Sequence, residues 1–264
     1  LFMEYTCSHL ICFSPTRSSH LIGEKIMYGI GSERTGKTDL TYEGLRKPLR
    51  IRNEIVVIAV PVYGGRVAAT ALERMELVRG EQTPAVLVVV YGNRDYDDAL
   101  LELKDWSVAH GFCPIAAGAF IGEHSYSREH FPIAAHRPDG QDLTEAVDFG
   151  RKIRHLVETG AEGWGELVVK GNYPYKVNGP KTPQTPQTDQ AVCTLCGFCS
   201  EICPVQAISV QEERIVSSAE ACIKCCACVK QCPVHARIFN TPYTEMLFQK
   251  FSARRAPELF FPQR

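Results

Sequence analysis

Eight of the 12 cysteines in this 264-residue chain fall into two runs of one pattern. CTLCGFCSEICP carries Cys193, Cys196, Cys199 and Cys203, and CIKCCACVKQCP carries Cys222, Cys225, Cys228 and Cys232. Each reads C-x2-C-x2-C-x3-C-P, and the likeness continues beyond the cysteines, PVQA at 204–207 being answered by PVHA at 233–236. Thiolates three residues apart on a tight loop reach three corners of an iron–sulfur cube while the chain wraps around it, and a fourth ligand must come from elsewhere. Structural zinc is the competing chemistry, because two C-x-x-C pairs build a tetrahedral site. Zinc leaves the third evenly spaced cysteine and the following proline without a use. Disulfides suit a reducing compartment poorly, and adjacent Cys225 and Cys226 are badly placed to pair with each other. Cys226 stands where the first run has Gly197, which marks it as an addition to the duplicated pattern. Cys7, Cys12 and Cys113 lie among apolar residues and read as small buried hydrophobes.

The segment from about 190 to 240 resembles the bacterial dicluster ferredoxins. The resemblance implies that the fourth cysteine of each run ligates the cluster of the other. One 4Fe-4S cluster then takes Cys193, Cys196, Cys199 and Cys232, and a second takes Cys222, Cys225, Cys228 and Cys203. Pro204 and Pro233 turn the chain away from each cube.

The residues ahead of these runs alternate strand and helix patterns. Strands are expected at 5–13, 35–40 (weakly), 54–60, 85–91 and 115–121, with helices at 19–29, 67–79, 95–110 and 141–157. EIVVIAV and AVLVVVY are continuous β-branched runs, as for strands covered by helices on both faces. The expected fold is α/β: a flavodoxin-like, doubly wound, five-stranded parallel sheet of order 2-1-3-4-5, followed by a small α+β dicluster ferredoxin domain. The expected divisions are 1–165 for the first domain, 166–189 for a Pro- and Gln-rich strap, 190–240 for the cluster domain and 241–264 for a C-terminal helix and tail.

In such sheets ligands sit beyond the carboxyl ends of the strands. After the first strand, SPTRSSH offers Ser14, Thr16, Ser18 and Ser19 with the amides opening a helix as a phosphate cradle, and Arg17 adds charge. After the third, PVYGG (Pro61, Val62, Tyr63, Gly64, Gly65) allows close backbone approach to a flat ligand and provides a ring to stack on it. After the fourth, YGNRDYDDAL offers Tyr91, Gly92 and Asn93 for a heterocycle edge and Tyr96 as a second ring. These three loops, joined to the cysteine runs, resemble the ferredoxin-flavodoxin fusion proteins of anaerobic microbes. The resemblance implies FMN, with its phosphate on the first loop and its ring between the second and third. Arg17 departs from the family's usual glycine in that first loop.

GSERTGKT at 31–38 matches the phosphate-loop pattern G-x-x-x-x-G-K-[ST], but it follows a helical segment and leads into a strand, the reverse of a working phosphate loop. It reads as a helix-to-strand connection. Lys+Arg of 29 against Asp+Glu of 30 gives no overall attraction to nucleic acid, and no apolar run is long enough to span a bilayer. The expected protein is cytoplasmic and carries FMN and two 4Fe-4S clusters. It relays electrons between one-electron carriers, such as ferredoxin-type redox partners, and the flavin. The alternative is a flavin-dependent reductase of a small substrate fed by the clusters. His124 is a further candidate for lining the flavin cleft. Tyr243, Met246, Leu247 and Phe251 share a helical face that reads as packing surface.

Overall fold

The computed structural model describes residues 6–159, 165–180 and 182–263. The body comprises β1 (Cys7–Cys12), α1 (Ser18–Ile30), β2 (Arg34–Asp39), β3 (Ile55–Tyr63), α2 (Ala69–Met75), β4 (Thr83–Tyr91), α3 (Ala99–Ala109), β5 (Phe112–Ile121) and α4 (Gly140–Thr159). The cysteine-rich part contributes α5 (Phe198–Glu201), β6 (Ile208–Gln211), β7 (Arg214–Ser217) and α6 (Ala227–Lys230), and the chain closes with α7 (Tyr243–Phe251) and β8 (Glu258–Phe260).

β3 and β4, the two β-branched runs, pair in parallel at the centre of the sheet. β1 and then β2 extend it on one side and β5 on the other, all parallel, with α1, α2 and α3 crossing after β1, β3 and β4. The strand order is β2-β1-β3-β4-β5, and β8 adds an antiparallel sixth strand beside β5. Strand periodicity divides the core between the two faces. Leu10, Val57, Val88 and Phe120 pack with Ile22, Ile26 and Phe149 of α1 and α4. Their neighbours Ile11, Ile58 and Val89 pack on the opposite face with Met75, Leu100 and Leu103 of α2 and α3. α1 and α4 cross closely through Gly29 and Gly150, where a Cβ would meet backbone carbonyl oxygens of the other helix at 2.1 and 2.2 Å.

The strap is tied down along α3. Asp98 accepts hydrogen bonds from the backbone N–H of Asn172 (2.8 Å) and Lys176 (2.6 Å), and Lys170 lies 3.2 Å from Asp95. The C-terminal segment is tied down as firmly. Asn93 Nδ2 donates to the carbonyls of Phe251 (2.6 Å) and Ala253 (2.8 Å), and Tyr96 donates to Glu258 (2.7 Å). Arg137, buried in a bidentate pair with Asp142, donates to the Arg255 carbonyl at 2.9 Å.

In the cysteine-rich part the duplication extends to the backbone. Leu195 and Lys224 have φ of 55° and 56°, Gly197 and Cys226 of 74° and 59°, and Gln206 and His235 of 52° each. Left-handed residues at matched places curl each loop inward. β6 and β7 form a hairpin, and residues 237–238 pair antiparallel with 187–188, joining the end of the second repeat to the start of the first. Among the described residues no helix is long and apolar enough to cross a membrane.

Candidate functional site

The carboxyl ends of β1, β3, β4 and β5 open onto a cavity of about 620 Å³. Ser14, Thr16, Ser18 and Ser19 form its first wall, Pro61, Val62, Tyr63 and Gly64 the second, and Tyr91 and Gly92 the third. Ser14 is held in place at both ends: its N–H donates to Thr41 Oγ1 (2.9 Å) and its Oγ accepts from the His20 N–H (3.1 Å). The wall therefore opens α1 with ordered hydroxyls and amides, which suits a phosphate. Glycines give the cavity its depth. A Cβ on Gly64 (φ 64°) would come within 2.9 Å of the Asn178 side chain, and one on Gly92 within 2.5 Å of the His124 ring.

Four expected residues do not line this cavity, and each has a physical reason. Arg17 adopts the left-handed conformation (φ 66°) that a glycine would take there, and its guanidinium turns to Asp39 at 2.6 Å. Gly65 (φ 86°) is required by Asp97, whose Oδ2 would lie 2.0 Å from a Cβ. Asn93 spends its amide on the C-terminal segment. Tyr96, expected as the second stacking ring, is fully buried against Tyr91 with Glu258 on its hydroxyl.

Of the remaining wall, His124 is expected from the sequence and the other residues are not. The β5 loop brings Glu123, His124 and Tyr126, the strap brings Lys176 and Asn178, and α7 brings Tyr243, Met246 and Leu247. The expectation that α7 is only packing surface is thus corrected: its apolar face covers the cavity. Burial, reinforced by Lys230 and Arg94, lowers the His124 pKa to about 4, so the ring is neutral at pH 7. Its Nδ1 accepts the Tyr126 N–H at 3.0 Å, which leaves the proton on Nε2. Glu123 is neutralised by Lys230 at 2.5 Å. The sequence signal that points to this loop is the position of His124 just after the last parallel strand of the sheet.

The cysteines collect into two small cavities. Cys193, Cys196, Cys199 and Cys232 line one, and Cys203, Cys222, Cys225 and Cys228 line the other, so each quartet takes three residues from one run and the last from the other. Burial pushes the Cys225 thiol up to about 12 and the Cys228 thiol to about 11. Thiolates at these depths require a positively charged metal beside them, and the donor sets fit iron–sulfur cubes. Cys226 also lines the second cavity, but it stands outside the repeated pattern and its thiol is turned to the Lys224 carbonyl at 3.5 Å. Cys196 is the exposed member of its quartet.

The second quartet abuts the large cavity. Ile223 and Lys224, between Cys222 and Cys225, form part of its wall, and Tyr63 packs with Ile223 beside Cys225. Gln231 donates to the Pro15 carbonyl at 3.2 Å, and Arg74, stacked over Phe13, reaches the Pro204 carbonyl. Elsewhere, Cys12, His20 and Asp39 converge beneath the first loop, where Arg17 already pairs with Asp39 and Lys37 lies 2.9 Å from His20. Lys37 of the GSERTGKT stretch is on β2 and pairs with Glu24 at 3.0 Å, so that motif is the α1-to-β2 connection.

Strand order and cysteine geometry together define a chain with a flavodoxin-like α/β body joined to a 4Fe-4S dicluster module. A family model described as a 4Fe-4S dicluster domain matches residues 185–233. No curated protein matches the chain. Similar solved structures include a Fusobacterium nucleatum flavodoxin bound to flavin mononucleotide (14% identity, 56% of this chain and 97% of that one, TM-score 0.40). A flavodoxin from the domain Archaea (11%, 57% and 98%, TM-score 0.37) and a flavone reductase (9%, 80% of each chain, TM-score 0.43) are also similar. The fold assignment rests on strand order and crossovers rather than on these likenesses.

Proposed function

We propose that this chain is an electron-transfer protein that holds FMN in the large cavity and a 4Fe-4S cluster on each cysteine quartet. One observation carries the reading: the loop between Cys222 and Cys225 is itself a wall of the cavity. Bound FMN supplies a carrier of one or two electrons, whereas each cluster moves one at a time. Residues 1–165 would hold the flavin and 190–240 the clusters, with 166–189 keeping the two halves in register. The Ser14–Ser19 wall would take the phosphate, while Tyr63, Gly64 and Gly92 leave room for a flat ring. His124, neutral and protonated on Nε2, offers a donor from the opposite side. The inner quartet is the one beside the flavin site, and the outer, with exposed Cys196, faces partners such as ferredoxin-type carriers.

The test is cofactor content per chain after purification without oxygen. About eight iron, eight sulfide and one FMN, followed by flavin reduction when a reduced ferredoxin-type protein is mixed in, supports the reading. Stoichiometric zinc, or full iron with no flavin even after FMN is added, overturns it. A second reading, a reductase of a small substrate, is favoured by the cover that Tyr243, Met246 and Leu247 place over the cavity. It predicts saturable turnover of a small acceptor by the loaded chain.

A further inference from the structure

Arg237 stands just after the second cysteine run, where the first repeat has Ile208 (PVHAR at 233–237 against PVQAI at 204–208). It is 4% exposed and lines the cavities of both cysteine quartets. Its Nη1 donates to Thr188 Oγ1 (2.5 Å), and its Nη2 donates to the Pro186 carbonyl (3.0 Å) and Ser217 Oγ (2.7 Å). None of these partners is a carboxylate. The Nε–H is buried with no hydrogen-bond partner among the described residues, and Nη2 lies 3.8 Å from Cys228 Sγ. A buried cation supported only by neutral groups, with one donor left over, is costly unless negative charge lies beside it. On the iron–sulfur reading above, the thiolates and sulfides of the two clusters are that charge.

We infer that Arg237 is a shared cation and N–H···S donor between the two clusters, acting most strongly on the inner one held by Cys203, Cys222, Cys225 and Cys228. Hydrogen bonds to cluster sulfurs and net charge are what set such potentials. A reduced cluster carries one more negative charge than an oxidised one, so a nearby cation favours reduction. Because Cys228 belongs to the inner quartet, that cluster gains more than the outer one. The resulting gradient draws electrons inward, from the exposed Cys196 side towards the cavity.

Arg237→Gln and Arg237→Lys in the full chain, purified without oxygen, test this by iron and sulfide content and by redox titration followed by electron paramagnetic resonance. With clusters loaded, the Gln variant should show at least a tenfold smaller reduced-to-oxidised ratio of the inner cluster at a fixed potential. The outer cluster should change less, and Lys should retain part of the effect. Loaded clusters with unchanged potentials, or a larger shift in the outer cluster, overturn the inference while leaving the electron-transfer reading intact. Absence of iron in the wild type overturns both. If the Gln variant does not assemble clusters, resonance Raman spectra of wild type and the Lys variant in H2O and D2O decide. A deuterium-sensitive Fe–S band altered by Lys supports the role, and identical spectra overturn it.

Discussion

His124 is the residue whose surroundings most constrain its chemistry. Burial holds its folded-state pKa at about 4, against 6.5 for the free side chain. As pH falls from about 6.5 towards 4 the unfolded chain takes up a proton that the folded chain refuses, so stability is lost across that window, by at most on the order of 3 kcal/mol. Asparagine keeps an acceptor for the Tyr126 N–H but does not titrate. Thermal unfolding of His124→Asn should therefore lose less than wild type between pH 6.5 and 4.5, and parallel pH curves would contradict the assignment. Arg17 presents the opposite case, a non-glycine residue in a left-handed conformation with only an exposed ion pair in return. Relief of that backbone cost and loss of a pair worth little nearly offset. Arg17→Gly should leave stability within about 1 kcal/mol of wild type, measured by the same unfolding experiment, and a much larger loss would show that the Asp39 pair matters more.

Among the elements, the C-terminal segment has the largest reach for its size. α7 covers the cavity and β8 pairs with β5, so one stretch closes the proposed flavin cavity and blunts a sheet edge. A chain ending at Asn240 would leave the Asn93 amide and the Tyr96 hydroxyl without their partners. FMN affinity should fall at least tenfold, as measured by fluorescence quenching, and the exposed edge should promote self-association, as measured by light scattering. Retained affinity would mean that α7 is dispensable to the site. The core positions of α7 were readable as an apolar face at helical spacing, but what that face covers was not. The same holds for Tyr96: its loop was correctly sought at the end of β4, yet a ring beside a strand end can stack on a ligand or turn into the core. Glu258, 162 residues further on, decided which.

Across the whole molecule, the cysteine quartets are not equivalent. One shares a wall with the cavity and the other shows Cys196 to solvent. Cys225→Ser, which strikes the inner quartet, should abolish flavin reduction by a reduced ferredoxin-type donor in stopped-flow absorbance. Cys196→Ser should slow it by at least tenfold without abolishing direct photoreduction of the flavin. Equal effects of the two changes would contradict an inward order. The sequence alone determined what depends on neighbours along the chain. Cysteine spacing dictates how many thiolates a loop can bring to one cube, and the runs of β-branched residues dictate buried parallel strands. The hydroxyls of Ser14–Ser19 and the glycines at 64 and 92 follow from loop position in the same way. Tertiary structure decided which of these local pieces face one another. Ile223 and Lys224 share a cavity with Tyr63, α7 closes over the β4 and β5 loops, and Arg237 lies between the quartets only because distant segments pack together. No periodicity along the chain encodes such contacts, since they depend on how buried surfaces and buried charges are jointly satisfied in three dimensions.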